Sequence, residues 1–337
     1  MSVLLSLVLG AAGGLDLPAP APPRPATGAF EPFDLTYLPR ATNSVLAVRP
    51  NELVKHLGGQ EKATTGLLRR TLGAAFAFID GDLKAATPPA LADIEQIIVV
   101  AQLKLDIETG KDGRGALSAG GISSGLVRTT APFDWAGCLK KWFPKAERVK
   151  HAGREYVRVP FDIGKDTSYL GLFVADDRTL AFDSDEAEMK GLLARLDKKG
   201  KAPEPTGWGE VSRDLVALCH DTTAEGWLNA PAKPKREIDR SLATVARKST
   251  GVALGFSAGT RTALRFVATA RDAQDAKEVQ KALKAVLAYL ANDEETQPAL
   301  AKLLAQATVS RGNAVVRLSG SAPGDLLRRL LDPEAEQ

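Results

Sequence analysis

Between residues 94 and 107 the chain reads IEQIIVVAQLKLDI, a run dense in β-branched residues that predicts a strand. Shorter apolar runs at Val45–Val48, around Val149, and at Tyr156–Phe161, Leu170–Val174 and Thr179–Phe182 predict further strands, the last four forming a meander. A different period governs Asp272–Leu290. There Ala276, Val279, Leu283, Val286, Leu287 and Leu290 recur at helical spacing with lysines opposite, which predicts a long amphipathic helix. Helices are also expected at 51–56 behind Asn51, at 65–78, across PFDWAGCLKKWF, and from an Asp183 and Glu186 capping box to Leu196. The same reading places helices at 210–220 and 236–247, another ending near Ala307, and a last one at 325–331. VALGF and TALRFVAT predict a hairpin, Val309–Leu318 one strand, and the glycine-rich stretch 110–125 a loop.

Antiparallel hairpins and meanders followed by helices predict an α+β chain, with helices packed on one face of each sheet. DKKGKAPEPTG is charged, rich in Pro and Gly and nearly devoid of apolar groups, so 198–207 reads as a linker between two bodies, 30–197 and 208–332. The bodies look related. TAPFDW (130–135) and SAPGDL (321–326) each join a strand carrying Val-Arg to an apolar-faced helix, and TARDAQDA (269–276) does so without the proline. In each, an Asp stands where a helix N-terminus favours a carboxylate. An inherited strand–turn–helix repeat and convergence on a common capped turn both account for this.

Upstream, VLLSLVLGAA (3–12) is too short to span a bilayer, which takes about 20 residues, but fits the apolar region of a signal peptide over 1–14. No Lys or Arg precedes it, so either the true start lies further upstream or the run is an apolar N-terminal element. The proline-rich stretch 15–29 reads as an extended spacer or a disordered terminus. The expected address is extracytoplasmic: periplasmic, cell-surface or secreted.

With 337 residues, 44% apolar and 25% charged, the chain is an ordinary folded one, long enough for a core that needs neither metal nor disulfide. The two cysteines, Cys138 and Cys219, lie among apolar residues at helical spacing and are expected to be buried free thiols.

PFDLTYLP (32–39), AVRP (47–50) and TTAPFDW (129–135) together resemble a group of exported bacterial proteins without an established activity. Similar segments in that group sit behind sigma-factor-like or membrane-metallopeptidase modules. The resemblance implies an address and assigns no residue a role.

Catalytic motifs are sparse. GISSG (121–125) and GFSAG (255–259) match the G-x-S-x-G elbow, but both run on into strands, whereas the elbow needs a strand-to-helix turn; hairpin turns are expected instead. Cys219-His220-Asp221 places three candidate groups on adjacent residues, which point in different directions, so they form no triad; His220 with Asp221 is expected to end a helix. The acidic cluster Asp176, Asp177, Asp183, Asp185, Glu186 and Glu188 lacks the spacing of an EF-hand loop and reads as a turn followed by a solvated helix start. There is no GxxxxGK[ST] and no GxGxxG, so neither a nucleotide nor any other cofactor is expected.

The strongest surface signal is basic. Between Cys138 and Arg158 stand Lys140, Lys141, Lys145, Arg148, Lys150, Arg154 and Arg158 against two glutamates, a net of +5, with Trp142, Phe143 and Tyr156 interleaved. Such a segment suits an anionic polymer, a membrane surface or another protein, and nucleic acid only if the chain is cytosolic. The bland alternative is a helix and hairpin with aromatics inward and charges in water. The leading expectation is an exported, non-catalytic binding module. The runner-up is a hydrolase whose carboxylates meet only in space, and a third reading is a cytosolic nucleic-acid accessory protein.

Overall fold

The computed structural model describes residues 30–38, 44–56, 88–107, 116–163, 166–198, 200, 204–257, 261–292 and 298–323. The signal and spacer segments, the expected helices at 65–78 and 325–331, and Gly110–Gly115 lie outside these. The strands are β1 (Ser44–Val48), β2 (Ile94–Asp106), β3 (Ala116–Thr129), β4 (Glu147–His151), β5 (Arg154–Ile163), β6 (Asp166–Val174) and β7 (Thr179–Asp183). Beyond residue 207 they are β8 (Val216–Asp221), β9 (Leu228–Asn229), β10 (Ser249–Ser257), β11 (Arg261–Ala270), β12 (Thr308–Arg311) and β13 (Val315–Pro323). The helices are α1 (Pro50–His56), α2 (Trp135–Trp142), α3 (Glu186–Asp197), α4 (Trp208–Val211), α5 (Glu237–Lys248), α6 (Ala273–Asn292) and α7 (Pro298–Ala305).

The architecture is α+β, as the patterning implied. Among the described residues the strands form a single sheet in the order β12-β13-β11-β10-β8-β1-β2-β3-β7-β6-β5-β4, with β9 beside β2. Every pairing along this path is antiparallel. The two halves of the sheet join at the β1–β8 pair, where Leu46 stands opposite Leu218. Outward from it the two halves follow one plan. β1 leads through α1 to the β2–β3 hairpin and α2; β8 leads through α5 to the β10–β11 hairpin and α6. Asp134 accepts from the Gly137 amide at the start of α2, and Asp272 from the Asp275 amide beside α6, so both turns carry the carboxylate that an N-terminus favours. The third TAPFDW-like segment begins on β13, and its helix lies outside the described residues.

Because side chains alternate along a strand, register assigns each residue to a face. Leu46, Val99, Gly125, Phe182, Leu172 and Val157 align across six strands on one face, and α1 and α2 pack there. Leu254 continues this row into the second half, where α5, α6 and α7 pack. The opposite face carries Val45, Ala47, Ile98, Leu126, Cys219 and Val267 beneath α3, α4 and the segment Phe33–Leu38.

Five expectations are corrected. Residues 210–220 are not one helix: α4 ends at Val211, and Val216–His220 form β8 between β1 and β10. A short apolar run buried on both faces carries no period that separates helix from strand. Cys219 and His220 are therefore strand neighbours on opposite faces, Cys219 buried opposite Val45 and His220 bonded at 2.7 Å to Ser44 Oγ and packed on Trp227. The glycine-rich loop is in fact β3 from Ala116 onward, so GISSG is strand interior and not a turn. Asp183 does not open α3. It stays on β7 and accepts from the Asp185 amide, while Asp185 caps the helix by accepting from Ala187. Val309–Leu318 breaks at Gly312, whose amide bonds Val315 O, into the β12–β13 hairpin.

Gly125 has a packing reason. A Cβ there would lie 2.4 Å from Ile98 O and 2.8 Å from the Phe182 ring. Gly125→Ala is expected to lower stability by about 1–3 kcal/mol, read as a shift in the urea midpoint. An unchanged midpoint would mean that β2 and β3 lie further apart than described.

Candidate functional site

α2 follows β3 after a short turn, and two aromatic groups at its N-terminal end fix its pose. Trp135 is buried against the sheet and stacks edge-on against Phe133 at 4.8 Å, while Leu139 is buried one turn later. Its outward side then carries Lys140 and Lys141 in the last turn, where cations favour the negative end of the helix dipole. The chain returns as the edge hairpin β4–β5. Charged residues at an exposed sheet edge oppose pairing with another chain, and β4, ERVKH, is of that kind.

The seven basic residues do not act as a unit. Lys140, Lys141, Lys145, Arg148 and Lys150 are exposed, and Arg148 aligns with Val157 on the α2 face. Arg158 aligns with Gly171 and Asp183 on the opposite face, and Arg154, four residues before it on β5, shares that side. Ion pairs divide them again. Arg148 meets Glu155 at 2.8 Å. Arg158 meets Glu147 at 3.3 Å and Glu186 at 3.5 Å, with its guanidinium 3.6 Å from the centre of the Tyr169 ring. For Lys140, Lys141, Lys145 and Lys150, no carboxylate lies within 4 Å among the described residues. The unneutralised charge is thus a lysine face built by α2, the turn after it and β4.

The interleaved aromatics are not a stacking platform. Tyr156 is 1% exposed, its hydroxyl donates to Glu186 at 2.9 Å, and burial with that bond pushes its pKa up to about 12. Trp142 and Phe143 pack against the α1–α2 core.

Between α2 and the β5–β6 strands lies a cavity of about 280 Å³. Leu139 and Phe143 from the helix end, with Val157, Leu172 and Val174 from the sheet, form its apolar lining. Lys140, Arg148 and Glu155 are its charged members, and all three are exposed. Sequence reading found the lysines and missed this floor. Its signal was the alternation in β5 and β6, which puts Val157, Leu172 and Val174 on one face. The cavity carries one carboxylate, whereas glycoside hydrolysis uses two.

The other candidates are placed apart. In the acidic cluster, Asp176 accepts from the Arg178 amide, Asp183 and Asp185 bond backbone at the start of α3, and Glu186 holds Tyr156 and Lys190. Among the described residues no group of three His, Cys, Asp or Glu is disposed to hold a metal ion. Cys138 is half-buried and Cys219 buried; both are free thiols, and burial raises both pKa values, that of Cys219 to about 12. Ser257 ends β10 at the mouth of a hairpin. Among the described residues no helix is long and apolar enough to cross a membrane.

No family model and no curated protein matches the chain. A solved structure, crystal form IV of TP0453, is similar over 90% of this chain and 96% of that one, at 8% identity and a TM-score of 0.41. A likeness of that degree carries no functional argument.

Proposed function

We propose that the chain is an exported, non-catalytic binding module that holds an anionic polymer on the lysine face of α2 and β4. The observation that carries this reading is the set of four exposed lysines, Lys140, Lys141, Lys145 and Lys150, without carboxylate partners among the described residues. Evenly solvated surfaces intersperse both signs, and here the acids are spent on Arg148 and Arg158 instead. Concentrated positive charge raises the local concentration of a polyanion and speeds its capture, with strong dependence on ionic strength. The apolar N-terminal run and the resemblance of PFDLTYLP, AVRP and TTAPFDW to exported proteins support the extracytoplasmic address.

The test is retention on an immobilised sulfated polysaccharide across a salt series. The parent protein is expected to elute well above physiological salt. The triple variant Lys141→Glu, Lys145→Glu, Lys150→Glu should lose at least about tenfold in affinity, with a flatter salt dependence. Identical elution of parent and variant would overturn the proposal.

A further inference from the structure

We infer that the cavity between α2 and β5–β6 binds a small amphiphilic anion, a carboxylate on a short apolar body, with Lys140 as the charge partner. The inference rests on the lysine face being a binding surface, and it adds a ligand class that a polymer site alone would not need.

Three features of the cavity lead there. Its accessible apolar lining is Ala136, Phe143, Pro144, Ala146, Val157 and Val174, with Leu139 and Leu172 buried behind them. Burying an apolar group against such a lining is favourable at about 25 cal/mol per Å². Its charge is placed on one side. Lys140 projects from the exposed flank of α2 and has no carboxylate within 4 Å among the described residues, while Arg148 is held by Glu155 at 2.8 Å. An anion entering beside Lys140 therefore meets an uncommitted cation, whereas an entering cation would meet only a glutamate already engaged. Its size is the third feature. About 280 Å³ is near the lower end of the ~300–1,000 Å³ range of small-molecule sites, so the occupant is a compact monoanion and not a chain of sugars or nucleotides.

Lys140 and part of the apolar lining also come from one short stretch of chain. Half-buried Phe143 and exposed Lys140 both line the cavity from the end of α2, so a ligand can lay its apolar end on one and its carboxylate on the other.

The probe is octanoate, titrated into the whole protein and followed by Trp fluorescence, since Trp135 and Trp142 lie on the helix that forms the cavity wall. Octylammonium and butanoate serve as controls. Saturable binding of octanoate is expected, with octylammonium and butanoate each at least about fivefold weaker. Lys140→Ala should weaken octanoate about fivefold, the worth of one exposed charge pair. Ala136→Phe places a large side chain at an exposed helix position lining the cavity; it should abolish octanoate binding while the protein stays folded. Equal affinity for octanoate and octylammonium, or full binding in Ala136→Phe, would overturn the inference, as would no saturable octanoate response at all. Polysaccharide retention is measured on Ala136→Phe in parallel. Retention without octanoate binding in the parent protein would sink the cavity ligand alone; loss of polymer retention in the parent would sink the broader reading.

Discussion

Arg265→Ala is expected to cost about 3–5 kcal/mol of folding stability at pH 8 and distinctly less at pH 5. The reason is Asp214, which is fully buried under the second half of the sheet with Arg265 as its ion-pair partner. Its Oδ1 is taken by that arginine, and its Oδ2 has no hydrogen-bond partner among the described residues. Burial pushes the carboxyl up to about 6, against the pull of Arg265 and Arg49. That value lies above the unfolded one near ~3.9, so the folded chain binds more protons between the two, and stability falls as pH rises through that window. Without Arg265 the carboxyl climbs further, and a charge forced on it at pH 8 is left with the pull of Arg49 alone. Urea titrations at pH 5 and pH 8 check this. An equal deficit at both would mean that lost packing, not a stranded charge, is responsible. The same geometry explains the first glycine of GFSAG: a Cβ on Gly255 would lie 2.0 Å from Asp214 Oδ2.

Asp183→Asn is expected to act in the opposite sense and stabilise the protein at pH 8 by up to about 4 kcal/mol. Asp183 is 2% exposed at the end of β7. Burial is the largest influence on it, the Asp185 and Glu188 charges add to it, and the bond from the Asp185 amide opposes both, leaving the pKa at about 7. With the folded pKa raised above the unfolded one, the parent loses stability as pH rises from about 4 to about 7. Asparagine keeps the acceptor for the Asp185 amide and never ionises. The gain should therefore vanish near pH 4 and reach its full size above pH 7, measured by chemical denaturation across that range. A variant less stable than the parent at pH 8 would show that the ionised carboxylate is well partnered.

What the sequence made legible follows from which signals are local. The β-branched run at Ile94–Asp106 and the helical period of α6 state their own structure, and both stand where the pattern placed them. β8 does not, because Val216–Cys219 is an unbroken apolar run and acquires its direction only from β1 and β10 on either side. Likewise the seven basic residues are plain in the text, but the division among them depends on partners such as Glu186, which is 28 positions from Arg158 and meets it across the sheet. Asp183 reads as a cap, and Asp214 carries no signal of its own, until the strands that cover them are in place. Internal pairing is what a single sequence conceals, and it decides both the lysine face and the two acids.

The join between the two halves of the sheet has a consequence for how the chain is made. β1 has β2 on one side and β8 on the other, and Val48 meets Val216 only after roughly 170 further residues, roughly 10–30 s of synthesis at about 5–20 residues per second. For that interval the nascent first half carries the unpaired backbone edge of β1, flanked by its apolar side chains, open where the second half will join, while its outer edge, β4, is already guarded by charge. The vulnerable surface during biogenesis is thus an internal one, which holdase chaperones would have to shield and which a truncated chain would never close.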